Sequence, residues 1–359
     1  MEPVAALREV AFWLERSRAE TRRVKAYRTA ADVLAALDPD RLAELARTDG
    51  WTTLRGIGPK TSAVAAAAAA GEVPEYLVGL RAAAQPIGPE GSELTELLRG
   101  DLHTHSNWSD GGSPLEEMAY TARALGREYW VLTDHSPRLT VANGLTAERL
   151  RAQLAVLENL RLEMAADDDD HEMRILSGIE VDILDDGSLD QDPELLDELD
   201  IVVASIHSHL RADSATMTAR MVAAVSHPSV DVLGHCTGRL VEGGRGTRPE
   251  STFDARAVFE ACRDHGTAVE INSRPERQDP PERLMELALE LGCLFSIDTD
   301  AHAPGQLDWL GYGSARAAAV GIPADRIITT WPVERLLEWT ASGTRDEKVA
   351  KNRQSAREM

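Results

Sequence analysis

Cysteine is scarce in this chain of 359 residues: only Cys236, Cys262 and Cys293 occur, with no paired spacing. That excludes a disulfide framework and a CxxC zinc finger, and it predicts a reducing, cytoplasmic setting. There is no amino-terminal apolar core with a cleavage site and no apolar run long enough for a bilayer, so no membrane association is expected. The alanine run in "TSAVAAAAAAG" is too short and too weakly apolar to count. Positive charge is also in deficit, with 38 Lys and Arg against 60 Asp and Glu and a net charge of −22. That argues against a general binder of polyanions. It is equally the composition of a chain that stores carboxylates to hold cations.

What is present divides in two. Residues 1–100 carry 13 basic and 14 acidic residues, whereas residues 101–359 carry 25 and 46, a net of −21. Between them, "AAAQPIGPEGSE" at 82–93 has the Pro and Gly of a connector. The first part reads as helices, "EPVAALREVAFWLERS", "YRTAADVLAALD", "DRLAELART" and "KTSAVAAAAAAG", from apolar residues three and four apart. The second part alternates. Short apolar runs ("YWVLTD", "RILSGIEVDI", "LDIVVASIH", "VDVLGH", "TAVEIN", "LFSIDTD") are separated by stretches such as "PLEEMAYTARALG", "SATMTARMVAAV" and "PPERLMELALELG". Repeated about seven times, that pattern predicts an α/β fold with a parallel sheet covered by helices. A doubly wound sheet and a barrel both fit. No glycine-rich dinucleotide fingerprint follows the first strand, which favours the barrel. The acidic block "AADDDDHE" at 165–172 reads as a solvated loop, and the polar tail from 343 as frayed.

Six of ten histidines sit at or just past the end of an expected strand: His103, His105, His135, His207, His235 and His302. Asp110, Glu180 and Asp300 fall in the same position. In a parallel barrel the carboxyl ends of all strands open on one face, so residues spread over two hundred positions would meet there. His103 and His105 in "GDLHTHSNWSDG" are one residue apart and can both turn inward. Mixed imidazole and carboxylate suit zinc, manganese or iron. His171, His227 and His265 are left out as loop or helix-end residues, and His209 because it could equally support a ligand or lie at the surface.

These motifs identify a resemblance. "DLHTHSNWSDG", "LTDHS", "GIEVDI", "ASIHSH", "GHCTGR", "EINS" and "DTDAH" resemble, in order, those of the PHP (polymerase and histidinol phosphatase) domain, over roughly residues 100–332. The resemblance implies a distorted (βα)7 barrel with up to three divalent metal ions. It assigns His103, His105, Glu180 and Asp300 to a first ion, Asp110, His135 and His302 to a second, and Glu180, His207 and His235 to a third. Asp110 stands where some members have His, which hardens the second site slightly toward manganese. Cys236 stands where relatives usually have Pro. The first part resembles the helical head of bacterial family X DNA polymerases, through "KAYRTAADVLAAL" and the helix-hairpin-helix "LRGIGPKTSAVAAAAAAGEVPE". Gly56, Gly58 and Lys60 would then meet a DNA phosphate at a helix amino terminus. The Schiff-base lysine of the lyases would fall at Val64, so lyase activity is not expected, and no room remains for a polymerase core. The expected layout is a head at 1–82, a linker at 83–99, the barrel at 100–342 and a flexible tail at 343–359.

The resulting expectation is a hydrolase of phosphoric esters in which cations share and activate a bridging hydroxide. Arg239 and Arg274, after the fifth and sixth strands, are catalytic candidates that could neutralise developing charge. Asp134 and Asp298 could orient ligands. The head points to DNA ends in repair, as a 3′–5′ exonuclease, a 3′-phosphatase or an abasic-site nuclease. A histidinol-phosphatase-like enzyme acting on a phosphorylated small molecule is the alternative, favoured by the acidic barrel. A non-catalytic DNA-binding adaptor is the second, and the full donor set speaks against it.

Overall fold

The computed structural model describes residues 1–88, 93–167, 172–243 and 246–341. They divide into two units, one of Met1–Pro86 with Ala303–Gln306 and one formed by the rest. The predicted tail and positions 168–171 of the acidic block lie outside the described residues.

The first unit is helical: α1 (Pro3–Arg16), α2 (Thr21–Ala35), α3 (Pro39–Thr48), α4 (Pro59–Ala69) and α5 (Glu75–Ala83). Its core gathers Leu7, Val10 and Leu14 of α1, Tyr27, Ala31 and Leu34 of α2, Val64 and Ala68 of α4, and Leu77. α2 begins before the segment that periodicity marks, because Val24 extends its buried face among four basic residues, Arg22, Arg23, Lys25 and Arg28. α5 buries only Leu77 and so offers no period to read. Asp38 caps α3 by accepting from the Arg41 amide at 2.8 Å. The hairpin before α4 turns at Gly56, whose φ of +98° is a region an L side chain enters only with strain. Pro59 then starts the helix, and Thr61 Oγ1 accepts from the Gly58 amide at 3.0 Å.

In the second unit a short helix, α6 (Glu93–Leu97), lies within the expected linker. After it, strands and helices alternate: β1 (Gly100–Asp101), α7 (Leu115–Ala124), β2 (Tyr129–Leu132), α8 (Ala147–Ala166), β3 (Arg174–Asp182), α9 (Pro193–Leu196), β4 (Ile201–Ser205), α10 (Ser214–Val225), β5 (Val232–Leu233), α11 (Ala255–His265), β6 (Ala268–Asn272), α12 (Glu282–Leu291), β7 (Phe295–Asp298), α13 (Leu310–Val320) and α14 (Val333–Thr340). Each strand pairs in parallel with the next, in the order β1 to β7.

At the carboxyl end a parallel bridge between Thr104 and Ala301 joins the chain after β1 to the chain after β7. At the other end residues 327–331 intervene: Ile327 bridges to Phe295, and Thr329 O accepts from the Arg99 amide at 2.8 Å. The result is a nearly closed, distorted seven-stranded barrel, as expected. An apolar cluster of Ile328, Trp331, Leu336 and Trp339 with Leu102, Val131 and Val203 packs this amino-terminal end. A second cluster fills the space between strands and surrounding helices. The polar side chains collect at the carboxyl end, where the strand sequences had placed them.

Candidate metal centre

Backbone constraints set the donors before any chemistry begins. After β1, Thr104 turns away and donates its hydroxyl to Val131 O at 2.6 Å, so His103 and His105 share the opposite face. The loop beyond is fixed by Asp134, which accepts from the Ser106 amide at 2.8 Å, the Ser106 hydroxyl at 2.6 Å, Gln153 at 2.6 Å and the Ser109 hydroxyl. Asp134 thus shapes the turn that carries Asp110 rather than orienting a histidine. Gly111 is required in that turn, since a Cβ there would lie 2.6 Å from Ser106 O. Gly234, just before His235, faces the Ser205 hydroxyl, which a Cβ would approach to 2.3 Å. Asp300 sits in the left-handed region at φ 52°, tolerable for Asp and commonest where geometry serves a site. Asp298 accepts from the Leu102 amide at 2.8 Å and ties β7 to β1.

All nine predicted donors converge. Glu180 is at the centre: its Oε2 lies 3.3 Å from His103 Nε2, 3.5 Å from His105 Nε2 and 2.7 Å from His135 Nδ1. Its Oε1 lies 3.3 Å from His207 Nε2 and 2.9 Å from His235 Nε2. Asp110 Oδ1 is 3.4 Å from His135 Nε2 and 3.3 Å from His302 Nε2, and Asp300 Oδ1 is 3.4 Å from His105 Nε2. Four overlapping groups have donor atoms within 4.8 Å of one another: His105, Asp110, His135 and His302; His103, His105 and Asp300; His103, Glu180 and His235; His135, Glu180 and His207. The grouping differs from the family-derived assignment in linking His105 to Asp110, and in dividing His207 and His235 between two groups that share Glu180.

The residues fit cations on the chemistry of their orphans. Buried atoms without a hydrogen-bond partner include His103 Nε2, both ring nitrogens of His105 and His235, His135 Nδ1, His207 Nε2 and both oxygens of Glu180. Leaving one such atom unpaired costs about 1–3 kcal/mol, and Nε2 of His103, His105, His207 and His235 and Nδ1 of His135 all lie within 3.5 Å of the Glu180 oxygens. Burial opposes ionisation of Glu180, yet His103, His135 and His207 hold its carboxyl well below the usual range. Asp300 is held well below it too, against burial, by Arg277 and Arg274. His105 is driven well below the ordinary imidazole value by burial and by His302 and His135, so it stays neutral, as a ligand must.

Of the two predicted arginines, Arg274 lies against the centre, donating from Nη1 to Asp300 O at 3.1 Å with Asp300 Oδ1 at 3.7 Å. Arg239 spends its guanidinium on the carbonyls of Arg277 (3.1 Å) and Gln278 and on Glu250 (3.3 Å). Four residues escaped sequence reading. Arg277 donates to Asp300 Oδ2 at 3.0 Å. Asp182 pairs with His207 Nδ1, Glu270 with His103 Nδ1 at 2.6 Å, and Asn272 with Asp300 at 3.2 Å. The period of two could have found three of them: Asp182 follows Glu180 by two, and Glu270 and Asn272 share a face of β6. Cys236 Sγ lies 3.9 Å from Asp279 and belongs to none of the donor groups.

In the helical unit Gly56, Gly58 and Lys60 are exposed. They line a groove of about 1200 Å³ with Arg22, Arg23 and Tyr76. Val64, where a lyase lysine would fall, is buried at 2 % exposure.

A parallel barrel with a histidine–carboxylate centre at its carboxyl mouth defines the class of protein. Residues 101–274 match the PHP domain, and residues 1–70 match a helix-hairpin-helix domain. The chain belongs to the PHP domain family. Over 227 residues it is 41% identical to the DNA polymerase/3′-5′ exonuclease PolX of Bacillus subtilis, covering 63% of this chain but only 38% of that protein. It is 30% identical over 263 residues to a probable phosphatase of Vibrio vulnificus, covering 70% of this chain and 97% of the relative. A crystal structure of histidinol phosphate phosphatase from Lactococcus lactis, complexed with zinc, L-histidinol and phosphate, superposes with a TM-score of 0.45 at 18% identity, covering 63% of this chain and 95% of that one. No described helix is long and apolar enough to cross a membrane.

Proposed function

We propose that this phosphoesterase acts on DNA ends, removing a terminal nucleotide or phosphate, with two or three divalent ions, zinc or manganese, in the centre around Glu180. The observation that carries the chemistry is the convergence of nine donors, six of which (His103, His105, His135, Glu180, His207 and His235) have buried atoms with no hydrogen-bond partner. Bound there, divalent cations would supply a water of lowered proton affinity and positive charge for the phosphoryl oxygens. His103, His105, Glu180 and Asp300 would hold one, Asp110, His135 and His302 a second, and Glu180, His207 and His235 a third. The rest falls to the chain itself. Arg274, half-buried beside Asp300, presents a guanidinium that can fork onto a phosphate and fix its approach. Arg277 does the same from the other oxygen of Asp300. Arg239, tied into the loop after β6, steadies the segment that carries both.

DNA is favoured by the helix-hairpin-helix domain and by the likeness to a polymerase that is also an exonuclease. Gly56, Gly58 and Lys60 open α4, whose first amides suit a backbone phosphate. A small-molecule phosphatase is the second reading, favoured by the net −21 of residues 101–359 and by the phosphatase relative that this chain spans almost entirely. The test compares a labelled single-stranded oligonucleotide with histidinol phosphate and nitrophenyl phosphate, each with manganese. Shortening of the oligonucleotide at rates above turnover of both small esters supports the first reading. Preference for histidinol phosphate overturns it.

A further inference from the structure

β6 supplies none of the nine donors, yet it touches three residues that do. Glu270 is fully buried. Its Oε1 accepts from His103 Nδ1 at 2.6 Å, and its Oε2 accepts from the His235 amide at 2.5 Å and from Asn272 Nδ2 at 3.2 Å. Asn272 lies two residues on, so it projects from the same face of the strand. Its amide nitrogen also donates to Asp300 Oδ2 at 3.2 Å. The "EIN" of β6 therefore joins a ligand side chain from the end of β1, the backbone of a ligand from β5 and a ligand carboxylate from β7.

We propose that Glu270 and Asn272 are positioning residues of the metal centre, an inference that rests on the cation reading above. A neutral imidazole carries one N–H, and either nitrogen can bear it. A carboxylate at Nδ1 accepts only, so the proton of His103 is held there and Nε2 is left with its lone pair aimed at Glu180, 3.3 Å away. The same carboxylate holds the His235 backbone, and Asn272 sets the spacing from Glu270 to Asp300. Partners of this kind orient metal ligands and raise their basicity. His105 and His235 have no such partner on their second nitrogen among the described residues, whereas His103, like His207 with Asp182, has its tautomer set by a carboxylate.

The test is calorimetric titration of the chelator-stripped full chain with manganese alone, for wild type, Glu270→Gln, His103→Ala and the double variant. Glu270→Gln should weaken the tightest site by about 10- to 100-fold. In the His103→Ala background it should cause little further loss, because the carboxylate acts through that ring. Unchanged affinity in Glu270→Gln overturns the inference, as does an equal loss with and without His103, which would mark a simple brace. If wild type binds no manganese, the metal reading itself fails. Should Glu270→Gln not fold, Asn272→Ser in wild-type and Asp300→Asn backgrounds decides by the same comparison.

Discussion

Replacing Glu180 by Gln changes one atom and removes the charge on which the centre turns. The two oxygens lie within 3.5 Å of nitrogens from five histidines, and the residue is 1% exposed. Unit charges about 4 Å apart interact by about 4 kcal/mol at an effective dielectric of about 20, and a dication doubles that before desolvation is subtracted. Removing one partner of a buried pair costs about 3–5 kcal/mol in practice, so cation binding should weaken by at least about 100-fold, at about 1.4 kcal/mol per tenfold. The consequence is readable as a thermal shift. At a free concentration of about 100 Kd, manganese stabilises wild type by about 2.7 kcal/mol. For a barrel of this size each kcal/mol moves Tm by about 2–4 °C, giving a rise of about 5–11 °C. In Glu180→Gln the same manganese sits near Kd and contributes about 0.4 kcal/mol, a shift of about 1–2 °C. Differential scanning fluorimetry with manganese and with chelator measures both. An undiminished rise in the variant would refute the central role of Glu180, and no rise in wild type would refute the metal centre.

Other expectations follow from single features. Arg220 is 2% exposed and donates to Leu184 O at 3.0 Å, Ser208 O at 3.2 Å and Ile183 O at 2.7 Å, tying together the loops after β3 and β4. Arg220→Ala should lower stability by about 2–4 kcal/mol in urea unfolding, since buried carbonyls lose a charged donor. Burial pushes the Cys262 thiol well above its ordinary value and Cys293 up to about 12. Both should resist iodoacetamide at pH 8 until the chain unfolds, and because the fold keeps the thiols neutral, stability should fall as pH rises past the unfolded thiol value of about 8.5. Lys60→Ala should weaken oligonucleotide binding several-fold and lower the slope of its salt dependence by about 1, leaving nitrophenyl phosphate turnover unchanged.

The barrel was legible because parallel strands buried on both faces are short apolar runs, and the spacers between them are long enough for helices. The donor set was legible because metal chemistry tolerates few residue types, and the topology sends each strand's last residues to one mouth. What escaped did so for physical reasons. β1 is only Gly100–Asp101, because Asp101 and Asp298 replace ladder pairing with side-chain bonds to Thr299 and Leu102. α8 buries Leu150, Leu157, Leu160 and Met164, and the polar Gln153 interrupts that stripe because it is inside to reach Asp134. Glu270 and Asp182 look like surface acids in a chain with so many. Only the three-dimensional register shows that each meets the far nitrogen of a histidine.

The charge of the barrel bears on which phosphates it can take. Duplex DNA carries a charge about every 1.7 Å of its axis, and a chain segment with a net of −21 repels an extended run of them. Inside the mouth the balance differs, since Arg274 and Arg277 flank Asp300 and the donor cluster is built to hold further positive charge. An internal phosphate would bring charged neighbours on both sides against an acidic chain segment, whereas a terminal one brings them on one side only. On the proposed reading, the same acidity that argues against general polyanion binding would favour ends. The near-neutral helical unit, where Lys60, Arg22 and Arg23 line one groove together with Glu20, Glu72 and Glu75, would repel a DNA strand less than the barrel does. A small phosphorylated metabolite would satisfy the mouth equally well but would leave that groove without a purpose, which is why the DNA reading is the stronger of the two.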